Sequence, residues 1–427
     1  MGLRRALVIA SLLSLLIAGG AWWIFSADRV DDEDLDVSTA SARADPALVA
    51  RGRYLAQAGH CAGCHTARGG ASYAGGRPIA TPFGTVHSSN LTPDAATGLG
   101  LWTANDFWRA LHHGRSRDGR LLYPAFPYPN YSLVTRADAD ALFAYLRSLA
   151  PVAQPQRAHA LRFPFDTQAA LAVWRALYFD PQRFEPDAQR SAAWNRGAYL
   201  VRGLGHCSAC HASRNALGAA ADALALDGGT MPAPPWYAPS LASPHEAGLA
   251  GADAGEALRL LRSGVSAQAS VSGPMAEVVR GSLQHLDEAD LQAMVVYLQS
   301  LAPPPAARRP TASPALASAH GLDLYEKHCA ACHGERGEGA PGVYPPLAGS
   351  RALLADPPAN AVLAVLGGGF PPATAGNPRP YGMPPFATLL DDAEIATLLT
   401  TLRASFGNAG SAVSALEVGR YRGSAGP

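Results

Sequence analysis

The sequence predicts an all-α protein of three tandem, loop-rich domains behind one N-terminal membrane helix. Three observations predict it. The chain opens on an apolar run from Ala6 to Phe25. One plan then recurs three times, running each time from a glycine-containing helix to a pair of cysteines, and repeats on this scale define an architecture. Each copy ends on a segment whose apolar residues are spaced by three and four, the mark of a helix with one buried face.

Arg4 and Arg5 precede the apolar run, and Trp22 and Trp23 stand near its far end, where interfacial aromatics are expected. About twenty apolar residues match a membrane span and exceed the roughly 7–15-residue core of a cleaved signal. Residues 1–28 are therefore expected to be a transmembrane anchor, the alternative being a signal cleaved near Ala27. An acidic linker, 29–44, follows with Asp31, Asp32, Glu33, Asp34 and Asp36. With the arginines inside, everything beyond lies outside the cytoplasm.

The first copy, 45–152, opens with Arg51-Gly52-Arg53-Tyr54-Leu55 and closes from Ala137 to Leu149 on Leu142, Phe143, Tyr145 and Leu146. The second, 191–302, opens with Arg196-Gly197-Ala198-Tyr199-Leu200 and closes from Asp287 to Leu301 on Leu291, Met294, Tyr297 and Leu298. The third, 315–407, opens with His320-Gly321-Leu322-Asp323-Leu324-Tyr325 and closes from Asp391 to Phe406 on Ile395, Leu398, Leu399 and Leu402. Glycine costs a helix stability, so at the same place in each opening helix it implies close approach of another helix. Proline-rich joints, 153–190 and 303–314, separate the copies, since proline stops helices and stiffens spacers. The first joint carries Leu171, Val173, Trp174, Leu177 and Tyr178, read as a short helix packed between domains or, alternatively, a docking face. Residues 408–427 are expected to form a C-terminal tail.

The chain has 427 residues with 48% apolar and 16% charged residues, 43 glycines and 35 prolines. That composition suits several compact, loop-rich domains. The formal charge is zero, which gives no reason to expect nucleic acid as a partner. No G-x-G-x-x-G follows a strand, as a dinucleotide site requires; Gly367-Gly368-Gly369 reads as a turn.

The six cysteines form three identical motifs: Cys61-Ala62-Gly63-Cys64-His65, Cys207-Ser208-Ala209-Cys210-His211 and Cys329-Ala330-Ala331-Cys332-His333. C-x-x-C-H is the attachment run of haem c. Two thiols add to the two vinyl groups of the porphyrin, and the adjacent imidazole stands under the iron. His65, His211 and His333 are the expected proximal ligands of three covalently bound haems. Zinc binding and thiol–disulfide exchange are the alternatives, and neither explains the histidine after every pair.

Methionine as sixth ligand closes the iron and raises its potential. Met275, in Ser272-Gly273-Pro274-Met275, and Met383, in Tyr381-Gly382-Met383-Pro384-Pro385, lie in proline-stiffened loops before the closing helices. Met231 is a weaker choice, and Met294 falls in a closing helix and belongs to its core. The first copy contains no methionine, and Phe126 stands at the matching place in Leu122-Tyr123-Pro124-Ala125-Phe126-Pro127-Tyr128. The first haem is then five-coordinate, or ligated by His112, His113 or His87. Imidazole from His112 or His113 would make it the haem of lowest potential.

The region from Asp45 to Phe406 resembles the triheme cytochrome c subunits of bacterial membrane-bound alcohol, aldehyde and gluconate dehydrogenases, and similar subunits accompany some molybdenum hydroxylases. Beyond the cysteine motifs, the resemblance lies in Thr81-Pro82-Phe83-Gly84-Thr85, Asn90-Leu91-Thr92-Pro93-Asp94 with Thr97-Gly98, Arg117-Asp118-Gly119 with Tyr123-Pro124, Gly273-Pro274-Met275-Ala276-Glu277-Val278-Val279 and Tyr381-Gly382-Met383-Pro384. Phe126 departs from it, because that family commonly carries methionine there. The resemblance implies three cytochrome c domains at the bacterial inner membrane, facing the periplasm. It implies a relay from a separate dehydrogenase subunit (a quinoprotein, flavoprotein or molybdenum enzyme) to membrane quinone or another respiratory acceptor. Two other readings stay open. One is an enzyme acting on peroxide or a small gas at an open first haem; the other is a free-standing carrier.

Overall fold

The computed structural model describes residues 45–220, 222–303 and 316–424. The expected N-terminal helix and acidic linker lie outside them. Among the described residues no helix is long and apolar enough to cross a membrane.

Each copy is built on a crossing of its first and last helices. The first copy pairs Pro46–Ala58 with Arg136–Arg147, the second Ala192–Ala198 with Glu288–Gln299, and the third Ala319–His328 with Asp392–Ala404. The sequence sets the starts. Asp45 accepts a hydrogen bond from the Ala47 amide, with Pro46 at the first helical position; Thr135 caps the first closing helix, and Asp391 with Glu394 forms a reciprocal capping box on the third. These side chains satisfy amides that a helix start leaves unpaired. The helix glycines have the role their position implies. A Cβ on Gly52 would lie 1.9 Å from the Ala141 carbonyl oxygen, on Gly197 2.0 Å from that of Ala293, and on Gly321 2.0 Å from Thr401 Oγ1. The closing helices bury Leu142 and Leu146, then Leu291, Met294, Tyr297 and Leu298, then Ile395, Leu398, Leu399 and Leu402. Phe143 and Tyr145 stay at the edge of the first core.

The second copy carries one more residue between helix glycine and first cysteine than the first copy does. The chain absorbs it as a π-helical turn, Tyr199–Leu204, directly before the motif. Such turns accommodate a one-residue insertion without breaking the helix.

Copies one and two share a single hydrophobic core, whereas the third has its own. The first two are joined by a reciprocal exchange. Tyr54 donates to Asp290 (2.6 Å), which Arg196 of its own copy also holds. Tyr199 donates to Asp138 (2.7 Å), which Arg51 of its own copy also holds. Each tyrosine oxygen also accepts the amide of the other copy's helix cap, Asp287 and Thr135. The two copies are thus related by a pseudo-twofold. The third has Asp323 where they have tyrosine, so it cannot join the exchange. It docks on the second through Asn360, paired both ways with the Tyr237 backbone, and through Thr374 on Ser263.

The first joint is no free spacer. Its Ala160–Leu161 adds a third antiparallel strand to the hairpin Pro78–Thr81/Gly84–His87. Its helix, Gln168–Tyr178, buries Leu171 and Arg175. Arg175 lies over the Tyr128 and Phe179 rings, and Trp174 donates to the Leu217 carbonyl of copy two. This is the helix expected between domains, with Val173 and Leu177 facing outward. The segment expected as a C-terminal tail is built into the third copy. Its helix Ala415–Ser424 and the segment before it place Val418 and Val413 in that core, because the third core has no partner copy to cover it.

Candidate functional site

The three paired-cysteine motifs form the same structure three times. Each is a single helical turn: Cys61–His65, Ser208–His211 after Cys207, and Ala330–His333 after Cys329. His60 and His206, immediately before the first two turns, take the left-handed conformation (φ 49° and 40°) that lets the chain turn sharply out of the opening helix.

The histidine of each motif is fixed at two points. Its backbone oxygen accepts a glycine amide, from Gly75, Gly228 and Gly339 respectively, at 2.8 Å each. Its Nδ1 stands on a backbone carbonyl: Ser89 for His65 (2.7 Å), Pro239 for His211 (2.6 Å) and Pro345 for His333 (3.0 Å). A carbonyl only accepts, so Nδ1 carries the proton and Nε2 keeps the lone pair. Burial holds all three imidazoles below the usual histidine pKa, hence neutral. A neutral imidazole oriented through Nδ1 is what a metal-ligating histidine requires. Two thiols and such an imidazole in one turn are the donor set for covalently attached haem, and the residues fit that group.

The alternatives fit less well. Burial pushes the first thiol of each pair up, to about 12 at Cys61 and Cys207 and about 11 at Cys329. An exchange-active pair instead carries a lowered thiol. Among the described residues no three His, Cys, Asp or Glu side chains converge on one point, as a zinc site of paired motifs would require.

In copy three, Met383 is held in a two-stranded bridge, exchanging both backbone hydrogen bonds with Gly369 (3.0 and 2.8 Å). The glycine run expected as a turn is what admits it: a Cβ on Gly368, at φ +60°, would lie 2.3 Å from the Met383 oxygen. Met275 differs from its expected setting. It stands in the first turn of the helix Gly273–Gly281 rather than in a loop, with Pro274 inside the helix start. Met294 is buried in the closing helix, and the Met231 amide is tied to the Trp236 carbonyl in a hairpin.

In copy one, Phe126 packs beside the core with its ring 5.2 Å from Tyr131. His112 and His113 are buried at the end of the helix Ala104–His113, which leads into the Phe126 loop. His112 stacks on Trp108 at 4.5 Å. His87 lies apart, its Nδ1 on the Ala158 carbonyl of the first joint (2.9 Å). Sequence reasoning missed the contacts between sites: Tyr131 and His206 meet edge to face at 5.4 Å, and Arg77 pairs with Glu277. The shared Arg-Gly-x-Tyr-Leu of copies one and two, absent from copy three, signals only the tyrosine exchange between those copies; no sequence pattern marks these two contacts.

The cytochrome c family profile matches the chain three times, over residues 49–150, 195–302 and 318–403. The chain is similar to the alcohol dehydrogenase (quinone) cytochrome c subunit of Gluconacetobacter polyoxogenes, at 38% identity over 90% of this chain and 86% of that one. It is similar to the gluconate 2-dehydrogenase cytochrome c subunit of Pantoea cypripedii, at 37% identity over 89% and 90%. A nicotinate dehydrogenase subunit of Pseudomonas putida is 41% identical over 84% of this chain and 30% of that protein.

Proposed function

The chain belongs to the cytochrome c family as an electron-transfer protein rather than an enzyme, and from that premise we propose that it carries three haems in relay from a catalytic dehydrogenase subunit to membrane quinone. Haem, when bound, supplies a one-electron couple at each site. The chain's own residues do the rest. Cys61 with Cys64, Cys207 with Cys210, and Cys329 with Cys332 hold the porphyrins by thioether bonds. His65, His211 and His333 present Nε2 to the irons. Met275 and Met383 supply the sixth ligands at the second and third sites.

At the first site the sixth ligand is His112 or His113. Both are buried on the helix that ends at the Phe126 loop, and phenylalanine has no donor atom. His87 is the weaker choice because its ring is held by the linker. The domains run 45–152, 191–302 and 315–407, the last extended by the helix that follows. Residues 1–28 anchor them to the bacterial inner membrane, on the periplasmic side. The partner is a quinoprotein, flavoprotein or molybdenum dehydrogenase, in keeping with the dehydrogenases named for the relatives.

The observation that carries this reading is the threefold imidazole, each fixed through Nδ1 by a carbonyl beside two thiols. The test is the intact mass and pyridine haemochrome of the purified chain, expected to give three haems. A chain with two or none overturns the count. Mild detergent extraction is expected to bring a dehydrogenase with it, and a chain always recovered alone favours the free carrier.

A further inference from the structure

The pseudo-twofold between copies one and two is broken where each motif turn meets the other copy. Each motif turn is tied to the other copy's distal segment, but by different chemistry. On one side the tie is neutral. Asn130, four residues past Phe126, donates to the Arg202 carbonyl (2.7 Å) and to Ser208 Oγ (2.8 Å), inside the second turn. On the other side it is charged. Arg77 donates to the Gly63 carbonyl, inside the first turn, and grips Glu277 with its two terminal guanidinium nitrogens, Nη2 at 2.9 Å from Oε2. Glu277 stands two residues past Met275 on the same helix.

His60 completes the grip. A Cβ on Gly63 would lie 2.0 Å from its Nε2, and one on Gly281 2.4 Å from its Cε1. The ring therefore fills the gap between the first turn and the far end of the Met275 helix. Copy one holds that helix at Glu277 and again at Gly281. On the other side His206 packs edge to face on Tyr131 of copy one at 5.4 Å, but no charged pair answers Arg77 and Glu277. Gly228 and Gly229 lead to Thr230 where Gly75 and Gly76 lead to Arg77, and Tyr128 follows Phe126 where Glu277 follows Met275.

We propose that Arg77 and Glu277 are positioning residues for the sixth ligand of the second haem, so that copy one sets how firmly Met275 sits on that iron. The inference rests on the reading of Met275 as that ligand. A two-pronged guanidinium–carboxylate pair fixes orientation as well as distance, which a lysine cannot do. Methionine's hold on haem iron raises its potential, so loosening the helix lowers it. The first haem domain then serves as a structural part of the second haem site.

The test uses the full-length chain, purified with its haems. The readouts are the near-infrared thioether-to-iron band of the oxidised protein and a spectroelectrochemical titration. Met275→Ala is expected to remove about half of the band, Met275 and Met383 being the two thioether ligands. Arg77→Gln and Glu277→Gln are expected to weaken that same half and lower the potential of one haem, with haem content unchanged. The exchange Arg77→Glu with Glu277→Arg is expected to recover part of both. Should Arg77→Gln lose haem during maturation, Arg77→Lys decides instead: a weakened band supports the proposal and an unchanged band overturns it. Wild-type band and potentials in Arg77→Gln and Glu277→Gln overturn the positioning role. An unchanged band in Met275→Ala overturns the ligand reading itself.

Discussion

Tyr199 and Asp138 show how much one side chain can carry between repeats. Asp138 is buried, and it accepts from Arg51 in its own copy and from Tyr199 in the other. Removing the Tyr199 hydroxyl leaves a buried carboxylate oxygen and the Thr135 amide each short of a partner. Tyr199→Phe is therefore expected to cost about 1–3 kcal/mol, read as a lower denaturant midpoint for copies one and two. His206 gives the pH dependence. Burial pushes its pKa down to about 4, against the Gly59 carbonyl beside its Nε2, which favours the protonated ring. A base whose folded pKa is lowered binds its proton more readily unfolded. The neutral ring's stabilisation is thus complete above the unfolded value of about 6.5 and is lost as pH falls toward 4. The melting temperature of copies one and two is expected to fall across that interval, and His206→Gln is expected to flatten the dependence.

At the scale of elements, glycines decide where segments can meet. The opening and closing helices cross where Gly52, Gly197 and Gly321 leave room for a carbonyl or hydroxyl. The Met383 strap exists because Gly368 takes φ +60° and has no Cβ to strike it. Gly368→Ala combines strain with a clash against backbone that cannot rotate away. It is expected to displace Met383 and remove about half of the near-infrared thioether band, with three haems still attached. An unchanged band would mean that Met383 does not ligate. The π-turn of copy two is a second device at this scale. It absorbs one residue and still presents Cys207 and Cys210 in the same kind of turn as Cys61 and Cys64.

At the scale of the whole molecule the described residues form two bodies, although the sequence repeats three times. Copies one and two share a core, exchange tyrosines and are strapped by the first joint. Copy three has a separate core, finished by its own C-terminal helix, and touches copy two through polar contacts and the packing of Pro372 on Gly264. Cooperative units follow shared cores. Calorimetry is expected to resolve two transitions, with Tyr199→Phe moving only the one that belongs to copies one and two. Three transitions, or one, would contradict that division. Val418→Asp is expected to lower the other transition alone, by about 3 kcal/mol or more, for a charge buried without a partner.

The sequence alone determined the chemistry. Covalent attachment of haem would need two thiols and a histidine at fixed spacing along one turn, so Cys61, Cys64 and His65 and their counterparts are legible as the proposed site without a fold. The helix pairs were legible for a similar reason, since the period of Leu291, Met294 and Leu298 and the recurring glycine are local patterns. Tertiary structure decided which carbonyl fixes each imidazole, that Met275 stands on a helix, and that copies one and two form one body while copy three stands apart. Those facts depend on residues far apart in the chain, such as Tyr54 with Asp290 and Arg77 with Glu277, and no local period encodes contacts across so much sequence.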